Sequence, residues 1–359
     1  MILVRSFSFP SACLLLSILK VKPFISSAII STSPPKSLTI AGTLYANDLN
    51  KTNGEFSHQI EGTAVISISL KIFDTFQNGT DNLKSCLQNV ELIKGSFLNQ
   101  EDVSSALRGV EILFHYASLT NPVTAVLNPV YDIETNILGS VKLIQAAIEN
   151  SIERIVFPSS GGTIYGNNFR HAFRETDNLF PFNPYAISKL TIERYLEFFY
   201  RKYGMKYYVL RYSNPYGERQ NPTGKQGVIP VFLNKILHNE QPVIVGNGTA
   251  VRDYIYIKDA ISATIAVLES ETEETTFNVG SGQGTSLLEL LEIMRYVSVK
   301  AINPSFNVDD SDYISKIILD IAKIKKETGW APSICLNIGI KNTWEWIVND
   351  YSLPRREKA

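Results

Sequence analysis

From residue 89 onward, short apolar runs alternate with longer amphipathic ones along the chain. Val90-Glu91-Leu92-Ile93, Ile112 to Tyr116, Ile155 to Phe157 and Tyr207 to Leu210 read as strands, and Val103 to Leu107, Val141 to Asn150 and Ser188 to Tyr203 as helices. Strands that are apolar throughout, rather than on alternate residues, are buried on both faces, so this rhythm predicts a mostly parallel sheet covered by helices on each side. The helix over Ala186 to Tyr203 carries Leu190, Ile192, Tyr195, Leu196, Phe198 and Phe199, enough apolar surface to pack on such a sheet. Past Gly217 the rhythm loosens into Gln220-Asn221-Pro222-Thr223-Gly224-Lys225-Gln226-Gly227, a loop composition. The fold class is α/β, doubly wound and mostly parallel, with a smaller C-terminal lobe.

Composition narrows the partners. At 359 residues, 44% apolar and 19% charged, the chain can bury one large core or two unequal ones. Its net charge of -1 offers no field for nucleic acid, so an anionic ligand must be held by local donors. Cys13, Cys86 and Cys335 are odd in number and far apart, which suits a reducing, cytoplasmic setting and excludes a disulfide framework or zinc knuckle. Four scattered histidines make no metal site, and His115, at the end of an apolar strand, is expected to be packed and hydrogen-bonded. The apolar run Leu14 to Leu19 is too short to span a bilayer, so no membrane partner is expected.

The chemistry centres on Pro184-Tyr185-Ala186-Ile187-Ser188-Lys189, which sets a phenol and an ammonium four residues apart on one helical face. A nearby lysine charge favours the phenolate and would bring a base into the neutral range. Alone, the spacing also fits a solvated helix face. Its neighbours decide: Val110-Glu111-Ile112-Leu113-Phe114-His115-Tyr116-Ala117-Ser118, Asn136-Ile137-Leu138-Gly139-Ser140, Ile155 to Gly166, Leu210-Arg211-Tyr212-Ser213-Asn214-Pro215-Tyr216-Gly217 and Val251-Arg252-Asp253-Tyr254-Ile255-Tyr256-Ile257 follow in order. Together they resemble the extended short-chain dehydrogenase/reductase family of nucleotide-sugar epimerases and dehydratases.

That resemblance implies a Rossmann-like domain over 73–217, a mainly substrate-binding lobe over 218–359 with segments returning to the sheet, and an atypical, poorly ordered segment over 1–72. It implies NAD as cofactor, with Tyr185 as base, Lys189 tuning it, and Ser160 or Thr163 sharing the proton. Asp74, Ser96, Phe97, Tyr116, Ala117, Ser118, Asn136 and Ser213 fall to the cofactor side, where Ser160, Tyr185 and Lys189 are also expected. Asn214, Val228 and Arg252 fall to the nucleotide-sugar side, although Arg252 could instead pair with Asp253. Three positions depart from the family pattern. Gly161 stands where many relatives have the catalytic hydroxyl, Ser96 where they have an aspartate, and Asp309 where they have an arginine three before the aspartate aligned with Asp312. A homodimer is expected through helices Pro129 to Asn150 and Ala186 to Tyr203.

The family's glycine-rich phosphate loop has no counterpart. Met1-Ile2-Leu3-Val4 begins like the first strand, but Arg5-Ser6-Phe7-Ser8-Phe9-Pro10 follows and the first glycine is Gly42. Residues 5–70 are read as a targeting segment, as a diverged nucleotide fold, or as the product of a wrong reading frame or gene model. A second glycine run, Gly280-Ser281-Gly282-Gln283-Gly284, looks like a pyrophosphate cradle but has the wrong spacing, and is expected to be a structural turn and helix cap. The leading function is UDP-hexose 4-epimerisation, since Ser160 to Gly166 and Gln226 to Leu233 look like bacterial surface-polysaccharide members. The competing readings are a cofactor-deficient, inactive member or non-functional gene product and, because Gly161-Gly162 offers no acid, less favourably a sugar 4,6-dehydratase.

Overall fold

The apolar runs line up as one sheet. The computed structural model describes residues 2–3, 70–75, 83, 88, 90–166, 172–224, 226–307 and 314–351. Its first six strands are β1 (Ile2–Leu3), β2 (Lys71–Asp74), β3 (Glu91–Lys94), β4 (Ile112–His115), β5 (Arg154–Ser160) and β6 (Lys206–Tyr212). Three lobe strands follow, β7 (Asn214–Tyr216), β8 (Val243–Val245) and β9 (Val251–Tyr256), before β10 (Thr276–Val279) returns to the edge of the main sheet. The order is β10-β6-β5-β4-β1-β2-β3, with every neighbouring pair parallel. Ile2 pairs with both Ile72 and Phe114, so the residues that read as a first strand occupy the place between β2 and β4. Strand order reverses there, which makes the crevice beyond the carboxyl ends of β1 and β4 the expected ligand position. The segment without a glycine turn, over residues 4–69, and Asp309 to Asp312 lie outside the described residues.

Successive residues on each strand point to opposite faces, and both faces are dry. Phe73, Leu113, Ile155, Phe157 and Val209 pack with Leu143, Ile144, Ile192, Leu196 and Phe199 of the helices on one side. Ile72, Phe114, Val156, Tyr208 and Leu210 face a second core, which continues through helix Ile257–Glu269 to Leu233, Ile255, Leu290 and Ile340 of the lobe. In the lobe β9 is flanked by β7, by β11 (Gly284–Ser286) and, after β12 (Ser305–Asn307), by β13 (Lys316–Ile317).

Two helices carry the chemistry. Pro184–Tyr203 starts two residues earlier than its apolar stripe suggests, because Asn183 accepts a hydrogen bond from the Ala186 amide and Pro184 has no amide hydrogen to satisfy in the first turn. It ends at Gly204, which takes the left-handed conformation at φ 74°. The other helix runs from Pro129–Asp132 through a π-helical stretch, Ile133–Leu138, into Gly139–Glu149. Such bulges widen the helix by a residue and are frequent beside functional sites.

Candidate active site

The two helices meet at the carboxyl end of β4. Tyr185, in the first turn of its helix, and Lys189, one turn on, line a small cleft with Ala117, Ser118 and Asn136. Ser140, Ser188 and Ile192 complete the lining and were not singled out from the sequence. Lys189 is buried; its Nζ donates to the Pro158 carbonyl at 2.8 Å and lies 4.6 Å from the centre of the Phe157 ring and 5.7 Å from that of Tyr185.

Behind the cleft sits a buried carboxylate. Asp132, the last residue before the π-helical stretch, accepts hydrogen bonds from Thr120 Oγ1, from Ser188 Oγ and, at 2.8 Å, from Asn136 Nδ2. Asn136 also accepts from the Leu119 amide at 2.9 Å, so the loop after β4 is tied to the same cluster.

Electrostatics here run against the expected direction. Burial, and then the charge of Asp132, push the Tyr185 phenol above the ordinary tyrosine value rather than below it. Lys189 is itself desolvated, which brings it down to about 8 although Asp132 and Glu193 oppose the fall. His115 is buried in the same apolar wall, its Nε2 2.8 Å from Ser140 Oγ and its Nδ1 without a partner among the described residues; burial and then Lys189 lower it to about 3. The expected packed, hydrogen-bonded imidazole is what the structure holds, and it is neutral.

At the end of β5, Ser160 and Thr163 are hydrogen-bonded to each other at 2.9 Å. Gly161 between them explains the missing hydroxyl, since a Cβ there would stand 2.6 Å from Leu319 Cδ1 and 3.0 Å from the Arg211 carbonyl oxygen. Under this turn lies an ion pair in which Arg211 Nη2 donates to Glu193 Oε2 at 2.7 Å, both side chains being 5% exposed. Ser159 donates to the same carboxylate at 2.5 Å, and Arg211 Nη1 donates to the Tyr165 hydroxyl at 2.9 Å, which in turn donates to Asn278 at 2.7 Å. Glu193 and Lys189 are one turn apart, and with Tyr185 they recur every four residues. That stripe was the available signal for a buried charge in a helix that otherwise reads as half solvated.

The remaining sequence-selected residues are spread more widely. Asp74 ends β2, with its Oδ1 accepting from Thr75 at 3.3 Å, and the Ser96 hydroxyl accepts from the Leu98 amide at 3.3 Å. Phe97 belongs to the core against Gly139. The Tyr116 side chain lies on the opposite face from His115, near Tyr212 and Thr264, so only its backbone adjoins the cleft residues Ala117 and Ser118. Ser213, just past β6, has a buried hydroxyl without a partner among the described residues. Asn214 donates to the Asp253 carbonyl at 2.9 Å, and Gly162 backs onto its side chain. Val228 opens helix Val228–Leu237 directly after Gly227.

Asp253 settles two readings at once. Its fully buried carboxylate accepts from the Ser281 amide at 2.8 Å, the Ser281 hydroxyl at 2.7 Å, the Gly282 amide at 3.2 Å and the Leu319 amide at 3.3 Å. The second glycine run therefore wraps a carboxylate of the protein itself, and Ser286 then caps helix Leu287–Ser298 in a reciprocal pair with Glu289. Arg252 points to the other face of β9, its Nη1 donating to the Val251 carbonyl at 2.9 Å, so a surface pair with Asp253 is not what forms.

Comparison with known proteins agrees with this geometry. A protein of Methanocaldococcus jannaschii named as a candidate UDP-glucose 4-epimerase is 35% identical over 276 residues, 75% of this chain and 90% of that protein. A dTDP-4-dehydro-6-deoxyglucose reductase of Escherichia coli is 39% identical over 232 residues, 64% of this chain and 73% of that protein. Among solved structures, the UDP-glucose 4-epimerase of Thermotoga maritima with UDP-glucose superposes with a TM-score of 0.74 at 34% identity, covering 78% of this chain and 91% of that one. The family model described as the NAD dependent epimerase/dehydratase family matches residues 72–280, and with the Rossmann-like sheet and the Tyr185–Lys189 cleft in place, the chain belongs to that family.

Proposed function

We propose that this chain is a nucleotide-sugar epimerase that inverts C4 of a UDP-hexose. The observation that carries the reading is the convergence of Tyr185, Lys189, Ser118 and Asn136 on one cleft at the reversal of strand order. The residues present fit the nicotinamide end of NAD: Ser213 offers a buried hydroxyl without a partner among the described residues, and Lys189 lines the cleft. NAD, when bound, supplies a reversible hydride acceptor. Tyr185, in its phenolate form, takes the proton from the sugar hydroxyl, and the positive charge of Lys189 beside it favours that form. Ser160 and Thr163, already bonded to each other, share that proton. Arg252, a fork of fixed charge on β9, and Asn214 and Val228 face the nucleotide-sugar. On this reading residues 73–217 hold the cofactor and 218–359 most of the substrate.

A homodimer through the two long helices is supported by their apolar surface, since Val130, Tyr131, Ile133 and Leu138 on one and Ile187, Phe198 and Tyr203 on the other are exposed. Among the described residues no helix is long and apolar enough to cross a membrane, and the three separated cysteines favour a cytoplasmic setting. Absorbance and mass analysis of the purified protein for NAD, followed by a panel of UDP-hexoses with detection of the 4-epimer, tests the reading. Bound NAD with no turnover on any sugar counts against it. A second reading, a cofactor-deficient member, is favoured by the sequence itself, in which no glycine precedes Gly42 where the family's phosphate loop follows the first strand. Protein free of NAD that takes none up on incubation supports that reading instead.

A further inference from the structure

Among the described residues, Asp132 is the one fully buried carboxylate in contact with the cleft residues that the proposed reaction does not use. It joins three separate pieces of chain: Thr120 belongs to the loop after β4, Asn136 to its own helix, and Ser188 to the Tyr185 helix, between the two catalytic candidates. The ties are mutual, because Asn136 Nδ2 also donates to Thr120 Oγ1 at 2.6 Å. Three donors converge on one carboxylate across 56 residues of sequence from Asp132 to Ser188. An apolar contact or a neutral amide could hold the helices together, but neither would place a negative charge next to a buried ammonium.

We propose that Asp132 is the positioning residue of the Tyr185–Lys189 pair, fixing the two helices and the β4 loop in one frame and keeping Lys189 in its charged form. The inference rests on reading Tyr185 and Lys189 as the reactive pair, but it concerns the chain itself. The charged and titratable groups around Lys189 are few: Asp132 from the π-bulged helix, Glu193 from its own helix, His115 from β4, Tyr185, and Arg211 of β6, which is bonded to Glu193. Glu193 shares its charge with Arg211, and His115 stays neutral down to about pH 3. Asp132 has neutral donors only, so its charge reaches Lys189 undivided. Loss of that charge lowers the pH at which Lys189 gives up its proton, and neutral Lys189 no longer assists the phenol.

The test follows the Lys189 ammonium directly. In protein carrying 13C-labelled lysine, the Lys189 Cε resonance, assigned by its loss in Lys189→Met, is titrated in the wild type and in Asp132→Asn. The wild-type midpoint is expected at about pH 8, and the variant midpoint lower by about one pH unit or more, as removal of an adjacent opposite charge gives. Asp132→Ser, smaller and equally neutral, replaces Asp132→Asn if the amide does not fold. An unchanged midpoint in a folded neutral variant overturns the proposal, and so does failure of both variants to fold, which would assign Asp132 to stability alone. With a UDP-hexose that turns over, Asp132→Asn is expected to lower kcat about tenfold to hundredfold with KM nearly unchanged. A shifted midpoint in an enzyme that turns over no sugar leaves the role of Asp132 standing and counts only against the epimerase reading.

Discussion

Two places in this molecule look like anion sites, and they differ in what their donors are doing. The glycine run after β10 presents two backbone amides and a hydroxyl, but all of them are bonded to Asp253. The cleft at the end of β4 presents the Lys189 ammonium, whose one bonded acceptor among the described residues is the Pro158 carbonyl, so further N–H groups are left for a ligand. A glycine turn ahead of a helix is thus only half of a phosphate site. The other half is that the protein's own acceptors leave donors over, because a saturated set of donors has nothing left for a ligand.

The largest effect that sharpens this contrast is expected from Lys189→Met. Loss of the ammonium should reduce turnover of a UDP-hexose by about 10²- to 10⁴-fold, measured as kcat on purified enzyme. Stability should not fall with it. Lys189 is lowered to about 8 in the folded chain from an ordinary 10.5, so the unfolded chain binds the extra proton between these values. Folding stability therefore rises with pH across that window and carries the full cost of the buried charge below it. In Lys189→Met this alkaline rise should disappear from denaturant midpoints. Lost stability with retained kcat would reverse the two roles.

Asp253→Ala should do the opposite. Four donors lose their acceptor, and at about 1–3 kcal/mol for each buried group left unsatisfied a loss of about 3 kcal/mol or more is expected in urea unfolding. Added inorganic pyrophosphate should leave the wild-type Tm where it is. A rise in Tm centred on the glycine run would break the comparison, since it would mean that a phosphate can displace the protein's own carboxylate.

Strands β4, β5 and β6 were legible in sequence because burial on both faces removes the polar alternation, leaving Ile112 to Tyr116, Ile155 to Phe157 and Tyr207 to Leu210 as plain apolar runs. The ends of β5 and β6 were read short for one reason: Ser159 and Arg211 are polar, yet they stay within the strands because Glu193 satisfies both. The Tyr185–Lys189 spacing was legible since one helical turn separates the two. Asp132 was not, because a carboxylate three residues after a proline reads as an ordinary first-turn acid, and only the π-helical stretch and the fold bring Ser188 and Thr120 to it. The direction of the Tyr185 shift was misread for the same physical reason. Spacing reveals that a lysine is near, but not that both groups leave water together.

His115 gives a smaller, pH-dependent test on the cleft side. Its imidazole is lowered to about 3 from 6.5, so the unfolded chain gains a proton that the folded one refuses as pH falls through this range. Stability is present above pH 6.5 and lost progressively below it, at up to about 1.4 kcal/mol per pH unit for one proton. His115→Gln should flatten that acid limb in thermal scans. If the limb is as steep as before, the uptake belongs to another group.

The finest comparison is between two adjacent glycines. Gly161 and Gly162 share the turn after β5, but a Cβ at 161 meets Leu319 and the Arg211 carbonyl at 2.6 and 3.0 Å, whereas at 162 its nearest neighbour is the Ser213 carbonyl at 3.4 Å. Gly161→Ala should cost about 1 kcal/mol or more, as overpacking does. Gly162→Ala should stay within about 0.5 kcal/mol, since ordinary contact distances are kept. Its side chain would instead sit 3.7 Å from Asn214 Oδ1, on the proposed sugar side, so its readout is KM across a panel of UDP-hexoses. A change that grows with the size of the sugar's substituents would place Gly162 in the substrate wall; a uniform KM would leave it a turn residue, as Gly161 is.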